Sequence, residues 1–123
     1  MLTKGIVLAV RELAQKSETG AETRDLAAFI AIALRKVAET IDVSVAAWEK
    51  RGYWVKADRF RMEWLWAGQF AEKMKQALFA NDWESIARFA VQIAQKLNKV
   101  KITTHHRLGT PWEGAWQELK NQN

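Results

Sequence analysis

The sequence predicts an all-α fold: an antiparallel helical bundle of about four helices, with a long central helical hairpin and a short C-terminal helix. Three observations predict it. Apolar residues recur at three- and four-residue spacing along almost the whole chain. Ala, Leu, Glu, Lys, Gln and Arg, all good helix formers, fill most positions. The single proline, Pro111, comes only near the end, and no stretch alternates polar and apolar residues as a half-buried strand would.

The first helix is expected over about 3–16, with Leu2, Ile6, Val10 and Leu13 on one face. The stretch SETG at 17–20 ends it. Gly20 suits the turn that closes a helix, and Thr19 and Glu22 have capping-box spacing for the next start, with Thr23 as a rival cap. A second helix then runs from about 22 to 51. Leu26, Ile30, Ala33, Leu34, Val37, Ile41, Val45 and Trp48 form one narrow stripe that passes through the β-branched TIDVSV without a phase error.

The third helix is expected over about 53–80. Its seam is Tyr53, Ala57, Phe60, Trp64, Ala67, Ala71, Met74 and Leu78, at alternating spacings of four and three. The step from Trp48 to Tyr53 is five residues, so the stripe changes phase at Gly52. Gly52 therefore reads as a break. A single long helix that changes its buried face is the alternative, because Val55, Met62, Trp66 and Phe70 continue the phase of helix 2. A fourth helix covers about 82–100, with Asn81 and Glu84 as its capping box and Trp83, Ile86, Ala90, Ile93, Leu97 and Val100 as its stripe. In the tail, Thr110 reads as N-cap, Pro111 as first helical residue and Glu113 as the third. Trp112, Ala115, Trp116 and Leu119 then share a face, so 111–120 is expected as a short amphipathic helix. A helix of that length is marginal unless it docks. Residues 1–104 thus read as the bundle, and 105–123 as a connector with a docking helix.

Composition narrows the function. There is no cysteine among the 123 residues, which excludes disulfide frameworks and thiol chemistry. The opening apolar run, GIVLAV, is too short for a signal-peptide core or a membrane span, so a cytoplasmic chain with no membrane contact is expected. His105 and His106 are adjacent and diverge in either a helix or a strand, which suits no single metal ion. The close carboxylate pairs, Glu18 with Glu22, Glu22 with Asp25 and Glu113 with Glu118, fall at helix ends or on polar faces. No phosphate-binding glycine loop or nucleophile elbow is present. No catalytic residue, metal or cofactor is expected. An enzyme site would have to be built near His105, His106 and Arg107.

Two features point instead to contacts with other molecules. The chain has seven Trp and a net charge of +5, and the positive excess begins after residue 43. Helix 3 also carries a second apolar stripe, Val55, Met62, Trp66, Phe70 and Ala77, roughly opposite the first. A helix that is apolar on two sides needs cover on two sides. A second copy of the chain is the simplest cover, so a homodimer is expected, with another protein as a further possibility. The expected contact residues are Trp54, Trp66 and Phe70, with Trp112 and Trp116 docking the tail helix. Trp64 is expected in the core, where truncation to Ala would cost about 3–5 kcal/mol. The alternative function is binding of single-stranded RNA or DNA. The segment EKRGYWVKADRFR interleaves Lys50, Arg51, Lys56, Arg59 and Arg61 with Tyr53, Trp54 and Phe60, offering charge for phosphates and flat faces for bases.

Overall fold

A computed structural model describes residues 2–16, 20–100 and 109–122. Its five helices pack against one another: α1 (Leu2–Ala14), α2 (Ala21–Lys50), α3 (Trp54–Phe79), α4 (Trp83–Lys96) and α5 (Ala115–Gln122). There is no strand among the described residues. Residues 17–19, with the expected cap Thr19, and the segment with His105, His106 and Arg107 lie outside the described residues.

Gly52 is a helix break. It has φ 81°, a left-handed conformation that costs glycine little. Its N–H bonds to the Glu49 carbonyl at 3.0 Å and the Tyr53 N–H to the Trp48 carbonyl at 2.9 Å, which is the Schellman arrangement. α3 ends the same way around Asn81, which takes φ 56°. The Asn81 N–H reaches Leu78 at 3.0 Å and the Asp82 N–H reaches Ala77 at 2.9 Å.

This corrects the expected cap of α4. Asn81 is occupied in closing α3, and its side-chain oxygen accepts from the Trp83 indole at 2.9 Å and from Arg24 at 3.2 Å. The N-cap is Asp82, whose carboxylate accepts from the Ser85 N–H at 3.2 Å and the Ser85 hydroxyl at 2.7 Å. α4 is also shorter than expected. It ends at Lys96, where Leu97 and Asn98 lead into a turn closed by the Val100 N–H on the Leu97 carbonyl.

The tail differs more. The last helix begins at Ala115, because Gly114 takes φ 80° and residues 111–114 form a turn. The Thr110 hydroxyl donates to the Glu113 carboxylate at 2.7 Å instead of capping the helix. The cap comes from α2. The Asp25 carboxylate accepts from the Gly114 N–H at 3.1 Å and from the Trp116 N–H at 2.9 Å, satisfying donors that a helix start leaves free.

The core draws on all five helices. Its fully buried large side chains are Ile6, Leu26, Ile30, Leu34, Met74, Ile86 and Ile93, and Trp112, Ala115 and Leu119 join the same cluster. The most connected element is α2 rather than α3. It packs on α1, α3 and α5, while α3 packs on α2 and α4. The cause is the run LAAFIAIAL at 26–34. Within it every residue but Phe29 is buried, and four alanines let neighbouring helices approach on several sides. Along α2 and α3 the facing pairs run from Trp48 with Phe60 and Glu49 with Arg61, through Ala38 with Gly68 and Arg35 with Glu72, to Arg24 with Asn81. Trp64 is only partly buried against this core, so the expected cost of its truncation falls below the fully buried range.

Candidate functional site

The end of the α2–α3 pair at Gly52 differs from the rest of the surface. Late α2 and early α3 meet there through a few specific contacts. The Trp48 and Phe60 rings pack edge to face with centroids 4.9 Å apart. The Lys56 ammonium sits 4.6 Å above the Trp48 ring. Arg61 bridges to Glu49 at 2.7 Å and Asp58 at 2.6 Å. The Glu49 hydrogen bond, aided by Asp58, raises the Arg61 guanidinium above its ordinary value. Arg61 is thus fixed to the protein itself.

Around this small closed cluster lies an apolar surface. Val43, Tyr53, Trp54, Val55, Met62 and Leu65 are 70%, 54%, 61%, 68%, 72% and 52% exposed. On α3, Trp54, Leu65, Met62 and Val55 fall within about 100° of one another at helical geometry, on the side away from the buried Ala57 and Ala67. Lys50, Arg51, Lys56 and Arg59 are exposed beside them. Lys50, Arg51 and Arg59 make no ion pair among the described residues.

The other expected contact residues occupy different places. Trp66 is half-buried, stacked on Trp64 at 5.9 Å and set against Phe70 at 6.3 Å. Phe70 is buried and meets Phe89 of α4 edge to face at 6.0 Å. The second stripe of α3 is therefore covered by α4 at Phe70, buried at Ala77 and open at Val55 and Met62. Trp112 is buried in the core cluster. Trp116 is half-buried between Phe79 at 5.3 Å and the cations of Lys120 and Arg24, at 5.3 and 5.9 Å.

Sequence reasoning missed Asp25. It looked like one of several carboxylates near a helix start. Nothing local marks it as the cap of a helix that begins ninety residues later. Among the described residues no group of three or more His, Asp or Glu is placed to hold a metal ion, and no helix is long and apolar enough to cross a membrane. Comparison of the chain with family models, with curated proteins and with solved structures finds no match.

Proposed function

We propose that this protein is a non-enzymatic interaction module, a helical bundle whose antiparallel α2–α3 hairpin self-associates through its Gly52 end to form a homodimer. One observation carries the reading. Among the described residues, six of the eight exposed large hydrophobic side chains lie between Val43 and Leu65, and on α3 they share a face. Clustered exposed apolar residues of this kind mark interaction sites. The descending ladder of pairs from Trp48–Phe60 to Arg24–Asn81 supports the antiparallel hairpin. Trp54, Val55, Met62 and Leu65 form the centre of the proposed interface, with Trp66 at its edge.

Light-scattering chromatography tests this. The wild-type chain is expected to be dimeric at high micromolar concentration. Met62→Glu with Leu65→Glu is expected to be monomeric with unchanged helix content, since both positions are exposed. A monomeric wild type removes the proposal.

The exposed cations favour a second reading, binding of single-stranded nucleic acid. Lys50, Arg51, Lys56 and Arg59 surround exposed Tyr53 and Trp54. Binding of this kind weakens steeply with salt. Lys56→Gln with Arg59→Gln is expected to abolish it and keep the fold. Undetectable or salt-insensitive binding of a mixed RNA pool retires this reading.

A further inference from the structure

α1 and α4 pack on each other, and a groove runs where they meet. The facing positions are small: Ala14 on α1 and Ala87, Ala90 and Ala94 on α4. They leave an open groove of about 710 Å³ whose larger walls include Val10, Leu13, Trp83 and Ile86. A second hollow of about 390 Å³ shares Val10, Ala14, Ala94 and Asn98 with the first and continues to Val7 and Val100. Together they make one trough along α4, a helix of 14 residues and so about 21 Å long. Pockets for small molecules span roughly 300–1,000 Å³ and are mostly apolar with a few polar groups.

Among the described residues, charge in the trough has one sign. The only ionisable groups among its described lining residues are Lys16 in the first hollow and Arg11 in the second. Lys16 is paired with Glu22, whose hydrogen bond raises its pKa. Arg11 has no carboxylate partner among the described residues, and within them it is the unpaired cation of this apolar channel. We propose that the trough binds a linear amphiphile, an alkyl chain ending in a carboxylate, with the chain lying between α1 and α4 and the carboxylate at Arg11. The length of the trough selects a chain over a compact ring. The unpaired Arg11 selects an anionic head over a neutral or cationic one.

The test is calorimetric titration of the full chain with octanoate, decanoate and dodecanoate below their micelle concentrations. The expected result is saturable binding at one site, tightening about fourfold for each added methylene that is buried. Ala94 is exposed and lines both hollows, so Ala94→Trp plugs the trough without disturbing the core. It is expected to weaken dodecanoate binding at least tenfold with the circular dichroism unchanged. Ala87→Phe is a second plug if that variant does not fold. Arg11→Gln is expected to weaken dodecanoate and leave dodecanol unaffected. The Met62→Glu, Leu65→Glu chain is expected to bind dodecanoate as the wild type does, which keeps this proposal separate from the interface at Gly52. No saturable heat, or binding indifferent to both plugs, overturns the site. Equal effects of Arg11→Gln on acid and alcohol overturn the assignment of the head. Conversion of a dimer to a monomer by Ala94→Trp, without dodecanoate binding, shows instead that the trough holds a second copy.

Discussion

Met62 and Met74 lie on one helix, three turns apart on α3, yet Met62 is 72% exposed and Met74 is 0%. The side chain and the backbone are the same. The surroundings differ. At Met74 the helix is flanked by α2 and α4, and the core closes over it. Beside Met62 the contacts of α3, Phe60 with Trp48 and Arg61 with Glu49, are made with α2. One half of α3 is thus held in a close-packed interior. The other half has one covered face and one open apolar face. Stability is concentrated at the Asn81 end and available contact surface at the Gly52 end.

The sharpest way to break this comparison is to truncate both methionines. Met74→Ala is expected to cost about 2–5 kcal/mol in urea unfolding, the loss of a buried side chain plus the cavity it leaves. Met62→Ala is expected to stay within about 0.5 kcal/mol of wild type. Equal costs would mean that the Gly52 end is covered within the monomer. Gly52→Ala comes next. Its left-handed conformation penalises any Cβ, so a loss of about 1–2 kcal/mol is expected, with the helices on either side retained by circular dichroism.

Asp25→Ala is expected to cost about 1 kcal/mol, the value of a helix cap. Its signature is regional. Amide exchange should quicken over residues 114–122 and stay unchanged at the Gly52 end, because Asp25 holds only the start of α5. The smallest effect concerns Asp82. The Ser85 hydroxyl, then the Ser85 N–H, hold its carboxyl below the usual aspartate range. A carboxyl lowered in the folded state adds stability above its unfolded value and loses it as the pH falls through the lowered one. The thermal midpoint of Asp82→Ala is therefore expected to lie slightly below wild type at neutral pH. The gap should close in acid, below the ordinary aspartate range.

The difference between the two ends of α3 was partly legible in the sequence. The double stripe on α3 shows that two faces need cover, and the phase change at Gly52 marks where the long helices separate. Both are local signals, carried by residues within a few turns of one another. Tyr53 shows the limit of such a pattern. It fits the heptad seam, but it precedes the first helical residue, Trp54, and is 54% exposed. Trp64 fits the same seam and is only half-buried, because periodicity gives the direction of a side chain and not the depth of what lies over it.

The sequence by itself determined an all-helical chain, the approximate position of each helix and the phase change at Gly52, whose reading as a break the structure decided. Backbone propensity, capping and periodicity act over one to four residues, so they are written where they operate. The tertiary structure decided which helix is surrounded, which caps are used and where space is left. α2 is enclosed because its alanine-rich run admits α1, α3 and α5 together. α5 starts where it does because Gly114 turns the chain and Asp25 meets the freed N–H groups from across the fold. The trough exists because small residues on α1 and α4 face each other. Each of these depends on groups far apart in the chain, and only packing brings them together.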